Sequence, residues 1–378
     1  MCTVAIIVPV YREKLTDQEL ISYRQLLHIL GAFEIIIVAP QNLDIPEEIR
    51  RGKVRTEYFP KEFFQSVDAY SKLMLSPFFY KRFIKYQYIL VYQLDAFVFK
   101  NELLYFCGLG CDYIGAPWIS GFCEYSILKR KVLYVGNGGF SLRRVEACKD
   151  ALERNRCLLE QYCGRNEDIF FSACDGRNFT VASVETALAF SFEREVKTCF
   201  ETNRRQLPFG CHAWERYDFE FWKSYIEGFG YELDKVAQTA GKEDRNNAGE
   251  YLWMSRNAAL MEQDDLFYGI SGKIDSLFGG ERVQCLYLWG AGYVGRYVKD
   301  LLLDGGIVPA GYIDINPDKQ GRVINGLKVY APEDIKKTGR IIVTVELKRH
   351  RGIIGSLEKL NLTYARDYIF FEDILPEG

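Results

Sequence analysis

Three nearly unbroken apolar runs frame this chain: TVAIIVPVY (residues 3–11), FEIIIVAP (33–40) and YQYILVYQLDAFVF (86–99). Runs so rich in β-branched and aromatic residues, with little polar alternation, suit strands buried on both faces, as in parallel sheets covered by helices. The sequence between the first two agrees. Thr16-Asp17-Gln18-Glu19 is a capping-box pattern, and Leu20, Tyr23, Leu26, Leu27 and Leu30 follow at helical spacing up to Gly31. Strand, helix, strand in that order predicts an α/β fold with a mainly parallel sheet. Further helices are expected over Ala69–Leu75, from Pro77 through Phe83, and around Val145–Cys157.

At roughly 150 residues per domain, the 378 residues imply two domains or three small ones. A fresh unit begins near Val283. VQCLYLWGAGYVGRYVKDLLLDGG reads as strand, glycine turn and amphipathic helix, VPAGYIDINP as a second strand with an acidic turn, and RIIVTVE as a third. That is a small Rossmann-like α/β unit. The expected division is a first domain over 1–216, a charged helical connector or extension over 217–281, and a Rossmann-like accessory domain over 282–378. The connector offers a surface for a homo-oligomer.

Charge and cysteines exclude several classes. Lys and Arg total 48 against 51 Asp and Glu, a net charge of −3. Neither side of Arg282 has the strong basic excess that phosphate-backbone binding demands, so no nucleic-acid partner is expected. No apolar run reaches the roughly 18 residues of a membrane span, and the first run lacks the basic flank of a signal peptide. The eleven cysteines are odd in number and include no CxxC pair. Cys107 and Cys111 stand four apart with no further Cys or His pair to complete a zinc site. Reduced, packed cysteines in a cytoplasmic protein are expected, peripheral to the inner face of the membrane if its acceptor is lipid-linked.

Several residues stand out chemically. Asp95 interrupts a run that should be buried, near the carboxyl end of its strand, where open α/β sheets collect ligands. It either meets a ligand or caps the following turn. Asn166-Glu167-Asp168 sets two adjacent acids before the apolar run Ile169–Phe171. A helix N-terminus accounts well for one of them, and a general base would account for the other. Gly290-Ala291-Gly292-Tyr293-Val294-Gly295 follows a strand and opens a helix, with Asp314 about 20 residues on, as a dinucleotide-binding turn and its ribose acid require. The unit is too short to hold a dehydrogenase's substrate domain. Gly290, Gly292, Gly295 and Asp314 are therefore expected to form an accessory nucleotide site. The cluster Lys348-Arg349-His350-Arg351 reads as a solvated helix face.

YILVYQLDAFVF resembles the strand that carries the Asp-x-Asp metal motif of GT-A-fold glycosyltransferases. AIIVPVY resembles their first nucleotide-binding strand, and Lys72 in AYSKLML the basic residue ahead of the metal strand. VGNGGFSLRR is similar to their Asn-Ala-Gly turn, NEDIFF to their acidic acceptor-side motif, and LPFGCHAWE to the late His-containing segment that closes on the diphosphate. PVYRE, YQLDAFVF, DYIGAPW, VGNGGFSLR, NEDIFFS and LPFGCHAW, in that order over about Thr3 to Arg216, resemble a bacterial glycosyltransferase-like family catalogued mainly as a domain of unknown function.

That resemblance implies a GT-A-type domain taking a sugar from a nucleotide-sugar donor, a UDP-sugar by family analogy. The acceptor would be a hydroxyl of a surface-polysaccharide, glycoprotein or lipid-linked glycan, and an inverting transfer would suit the acids. It implies a divalent cation, Mn2+ or Mg2+, on Asp95 and His212. Donor contacts would come from Pro9, Tyr11, Lys72, Asp95, Asn137, Gly138 and Gly139. Asp168 would be the base, with Glu167 beside it, and Trp118 and Trp214 would be sugar-stacking walls. One departure matters: Phe97 stands where the second motif Asp is expected. A lone carboxylate holds metal weakly, so either the nucleotide completes the site or the reaction runs without metal. Plainer roles stand beside these: a turn-capping His212, a solvated Lys72, packing for Tyr11, Trp118 and Trp214, and a simple tight turn at 137–139. Two other functions compete: an NAD- or nucleotide-sugar-dependent oxidoreductase centred on Gly290–Gly295, and a non-catalytic nucleotide-sugar binding protein.

Overall fold

A computed structural model gives the fold and describes residues 2–52, 54–123, 132–156, 159, 166–174, 176–237, 269–335, 339–345 and 350–374. The chain forms two compact units, one of Met1–Ile119 with Leu133–Asp244 and one of Ser120–Val132 with Arg245–Gly378. Among the described residues no helix is long and apolar enough to cross a membrane.

The first unit opens with β1 (Val4–Pro9), α1 (Asp17–Leu30), β2 (Glu34–Pro40), the short α2 (Glu47–Arg50) and β3 (Arg55–Phe59). Then come α3 (Val67–Met74), α4 (Pro77–Arg82), β4 (Tyr88–Tyr92), β5 (Phe97–Val98) and α5 (Leu103–Gly108). Next are β6 (Tyr113–Ile114), β7 (Ala116–Cys123, in this unit through Ile119), β8 (Val132–Gly136, in this unit from Leu133), β9 (Phe140–Arg144) and α6 (Val145–Arg154). The unit continues through α7 (Glu167–Ala173), α8 (Val184–Phe190), β10 (Ser191–Phe192), α9 (Val196–Thr202) and β11 (Gly210–Cys211). The described part ends with α10 (Phe219–Glu227) and α11 (Asp234–Ala237).

The expected sheet forms. Six strands lie in the order β3-β2-β1-β4-β9-β6. β1 is parallel to β2 and β4, and β2 is parallel to β3, with Ile7 opposite both Ile36 and Val91. β9 runs antiparallel to β4 and β6. β1, β2 and β4 are buried along nearly their whole length, as their continuous apolar text requires. Each such Ile or Val contributes roughly 1.5–3 kcal/mol relative to exposure. Leu26 and Leu30 of α1 join Ile6, Val8, Ile37 and Leu90 in one core.

Local signals hold as well. Thr16 Oγ accepts from the Glu19 N–H while Glu19 accepts from the Thr16 N–H at 2.8 Å, closing the capping box. α3 starts two residues before the expected Ala69, because Ser66 caps it by accepting from the Ala69 N–H at 3.1 Å. α6 ends at Arg154, and Cys157 lies outside the described residues.

A second sheet, β10-β11-β5, has strands of two residues, too short for any periodicity to show in sequence. Its core of Phe97, Phe99, Phe192, Trp214, Trp222 and Ile226 draws on α10. Of the expected connector, residues 238–268 lie outside the described residues.

The second unit holds α12 (Ile270–Leu277), β12 (Leu286–Trp289), α13 (Tyr293–Asp304), β13 (Gly311–Ile313), β14 (Val323–Ile324) and β15 (Leu327–Tyr330). β16 (Arg340–Val343), α14 (His350–Lys359) and β17 (Tyr368–Phe370) complete it. The order is β14-β15-β13-β12-β16-β17, parallel except for the β14–β15 pair. Lys348 and Arg349 of the basic cluster lie outside the described residues.

Candidate active site

The site of the first unit is built at the carboxyl edge of β4. Because β9 is antiparallel to β4, with Tyr92 opposite Phe140, the exit of β4 and the turn entering β9 share one edge. The Gln93 N–H donates to the Gly139 carbonyl at 2.8 Å, which locks the two together. Gln93 and Asp95 leave the strand here. His212 arrives from the end of β11, its N–H on the Phe192 carbonyl at 3.0 Å, and Glu193 follows β10. α7 presents Glu167 and Asp168 at its N-terminus.

His212 is the hub of one end. Its Nε2 lies 3.0 Å from Asp95 Oδ1 and 3.2 Å from Gln93 Oε1, and its Nδ1 lies 3.0 Å from Glu193 Oε1. Burial alone would lower the imidazole's pKa, but the two carboxylates outweigh it and raise it to about 10. Burial likewise opposes ionisation of Asp95 and Glu193, yet the facing imidazole holds both below the ordinary carboxylate range. Glu215, three residues on, is buried and pushed up to about 7, first by burial and then by the Asp95 charge.

The donors at this end suit a divalent cation. Asp95 Oδ1 is buried and faces His212 Nε2 as an ion-paired acceptor. A carboxylate oxygen and an amide oxygen converge on His212 Nε2, which becomes a ligand once a cation displaces its proton, and Glu193 on Nδ1 is the outer carboxylate that usually orients a metal-binding histidine. Such a set matches Mg2+ or Mn2+. Among the described residues no group of three or more His, Cys, Asp or Glu gathers to hold a metal. Gln93 was missed from the sequence. A turn closed by the Ala96 N–H on the Gln93 carbonyl at 2.9 Å, which no periodicity announces, brings it beside Asp95. Phe97 has no place in the site: it is fully buried on β5 against Phe99, Phe229 and Tyr231.

The turn Asn137-Gly138-Gly139 separates this end from the acids. Asn137, 2% exposed, has a left-handed backbone (φ 74°), and its Oδ1 accepts from the Gly139 N–H at 2.9 Å. Its Nδ2 is buried without a partner among the described residues. A Cβ on Gly139 would stand 2.0 Å from His212 Nε2, and one on Gly138 would stand 2.1 Å from Glu167 Oε1. Neither residue can be anything but glycine while those side chains keep their places.

The two acids divide their roles. Glu167 is buried and pairs with the wholly buried Arg143 at 2.9 Å, while Ser71 Oγ donates to its other oxygen at 3.2 Å. It has no free edge for a substrate proton, which corrects its expected place as an alternative base. Asp168 is half-buried and accepts from the Asn137 N–H at 3.0 Å and the Ile169 N–H at 2.9 Å. Burial first, then the Glu167 and Glu193 charges, raise it to about 7 against those two bonds.

Other expected residues fall in different places. Pro9 is buried at the end of β1, and Tyr11 stands beyond it, 52% exposed, with the Arg12 guanidinium 4.9 Å over its ring. Lys72 is exposed on α3, next to the Ser71 that reaches Glu167. Trp214 is a core residue, not a sugar wall: it is fully buried, its indole N–H donates to Ser22 Oγ at 3.2 Å, and it stacks on Phe219. Trp118 is also buried, its ring pressed on the backbone of Gly136, where a Cβ would come within 1.9 Å. Tyr70 is a second residue missed from the sequence. Its buried hydroxyl lies in the fields of Gln93, Asp95 and Glu167.

In the second unit, Gly290 (φ 117°) turns the chain from β12 into α13, with Gly292 as the residue before the helix. Gly295 lies so close to the Gly290 carbonyl that a Cβ would meet it at 1.8 Å. Asp314 does not project as a ribose acid. Its Oδ2 accepts from the Ala291 N–H and from Lys319 Nζ, both at 3.0 Å, and its Oδ1 from the Asn316 N–H at 2.9 Å. The acid is spent on the glycine turn itself.

The family described as "Protein of unknown function (DUF5672)" matches residues 53–212, a span that runs from β3 through Asp95, the glycine turn and the two acids to His212. No match is found among curated proteins. Three solved structures are similar to parts of the chain. The galactosyltransferase LgtC with donor and acceptor sugar analogs has a TM-score of 0.39 and 14% identity, over 65% of this chain and 99% of that one. Core-mannan synthase A from Aspergillus fumigatus in its Mn/GDP form has a TM-score of 0.32 and 11% identity, over 44% and 66%. Mouse xyloside xylosyltransferase 1 has a TM-score of 0.37 and 12% identity, over 55% and 97%.

Proposed function

We propose that the first unit is a glycosyltransferase that moves a sugar from a nucleotide-sugar donor, a UDP-sugar, to a hydroxyl of a glycan acceptor with inversion. One observation carries the reading. A cation-suited trio, Gln93, Asp95 and His212, and a half-buried carboxylate near neutrality, Asp168, flank one glycine turn at the edge of a parallel sheet. A nucleoside diphosphate leaves poorly unless its developing charge is met, and a bare hydroxyl attacks poorly unless its proton is taken. The two ends answer those two needs.

Gln93, Asp95 and His212 would hold a divalent cation, Mn2+ or Mg2+, which when bound supplies Lewis-acid neutralisation of the diphosphate. Glu193 keeps the imidazole oriented. Glycines at 138 and 139 let the donor approach backbone closely. Asp168 takes the acceptor hydroxyl's proton as the new bond forms at the anomeric carbon and the diphosphate departs with the electrons of the old one. The second unit is an accessory domain in this reading.

Thermal melting with UDP, GDP, CMP and NAD, each with and without Mn2+, tests it on wild type and Asp95→Ala. The expected result is a Mn2+-dependent rise with UDP that the substitution abolishes. A rise with NAD alone, indifferent to Asp95, would overturn the assignment.

A further inference from the structure

Among the described residues, three buried side-chain atoms of the site have no hydrogen-bond partner: Tyr70 OH, Asn137 Nδ2 and Glu215 Oε2. A buried polar atom that nothing meets is costly, so a cluster of them describes the ligand by complement. Glu215 lies at the His212 end, where the Asp95 charge acts on it. Tyr70 and Asn137 are donors. Asn137 lies on the turn over Asp168, and Tyr70 stands where Glu167, Arg143 and Asp95 all act on it.

Tyr70 is held firmly. It is the residue before Ser71, whose Oγ is bonded to Glu167, on a helix capped by Ser66, and its ring lies 6.5 Å from that of Phe64. A tyrosine phenol is protonated at neutral pH and so carries a donor. Its hydroxyl approaches the Gln93 amide yet makes no hydrogen bond of good geometry. Among the described residues no acceptor is in place for the Tyr70 O–H, and a ligand can supply one.

We propose that Tyr70 OH, together with Asn137 Nδ2, reads a free hydroxyl of the transferred sugar, which makes Tyr70 a specificity-determining residue for a hydroxylated hexose over its deoxy counterpart. This rests on the nucleotide-sugar reading of the same site. A pocket built to hydrogen-bond a hydroxyl rejects the analogue lacking it by as much as roughly 10⁴–10⁵-fold, because its own buried groups are then stranded. A pocket that merely tolerates the hydroxyl discriminates by no more than about 10²-fold.

Calorimetric titration of the full chain with UDP, UDP-glucose, UDP-galactose and their monodeoxy counterparts in Mn2+ tests it, on wild type and Tyr70→Phe. In wild type one deoxy analogue should bind at least about tenfold more weakly than its parent. In Tyr70→Phe the parent should fall to the level of that analogue, while UDP itself binds as before. The variant without ligand should melt no lower than wild type, since the lost hydroxyl had no partner; a lower melting point would mark a structural role and overturn the proposal. Equal losses for UDP and UDP-sugars, or no change for any, would also overturn it. Failure of wild type to bind UDP or any UDP-sugar would remove the underlying function, and is told apart by appearing before any substitution.

Discussion

Asp168 is the residue whose state decides the chemistry. Its carboxyl is raised to about 7 by burial and by the Glu167 and Glu193 charges, whereas in the unfolded chain it would ionise near 3.9, roughly the ordinary value. Between those limits the folded protein holds the proton more tightly. Stability from this group is therefore full below about 3.9 and falls as pH rises towards 7. Activity runs the other way, because a base must be ionised. kcat/KM should climb with pH and level off above about 7, and Asp168→Asn should cost about 10²–10⁴-fold without loss of thermal stability at neutral pH. A profile flat across neutrality would remove Asp168 from the role. The neighbouring glycines make a sharper pair. Gly139→Ala would drive a Cβ to 2.0 Å from His212 Nε2, so it should abolish any Mn2+-dependent response to UDP. Gly138→Ala strikes Glu167 at 2.1 Å, and should lower the melting point as well.

At the scale of elements, α7, β9 and α3 are tied through one buried ion pair. Arg143 sits on β9 with no exposure, bonded to Glu167, Tyr80 OH and the Gly138 carbonyl, and Ser71 of α3 completes the Glu167 side. Removing one member strands the other's charge, so Arg143→Met should cost about 3–5 kcal/mol in urea unfolding. Arg143→Met with Glu167→Gln should cost less than the two single changes summed; strict additivity would deny the coupling. Sequence showed the elements here more readily than the ties between them. β1, β2 and β4 were legible because a continuous apolar run must be buried wherever it lands, and Asp95 was legible as the exception inside one. Arg143 gave no sign, since a basic residue ending a strand reads as solvated until Glu167, 24 residues on, closes over it. Gln93 was passed over because a neutral amide carries no warning of burial. The pairing of Glu193 with His212 joins residues 19 apart through two-residue strands, and no periodicity announces those. Trp214 was misplaced for the same reason: its burial depends on the β10-β11-β5 sheet and α10, which the sequence alone does not assemble.

At the scale of the whole molecule, each unit contains a glycine turn at the edge of a mainly parallel sheet, and the two turns are finished differently. In the first unit, Asn137 Nδ2 on the turn has no hydrogen-bond partner among the described residues, as a site that takes a ligand would leave it. In the second, the acid that a dinucleotide's ribose would need is consumed by the Ala291 N–H, the Asn316 N–H and Lys319. The motif legible in sequence, glycines followed by an acid about 20 residues on, fixes the backbone path but not what the acid faces. Asp314 then acts as a staple between β13 and the turn. Asp314→Ala would leave the Ala291 N–H without its partner and Lys319 without its counter-charge, at a cost of about 1–3 kcal/mol to the second unit. Calorimetry of the full chain should therefore show lower stability in that variant, no upward shift with NAD in either protein, and an undiminished shift with UDP and Mn2+. A rise with NAD in wild type that Asp314→Ala abolishes would mean that the acid leaves the turn for a ribose. The second unit would then be a cofactor domain in its own right.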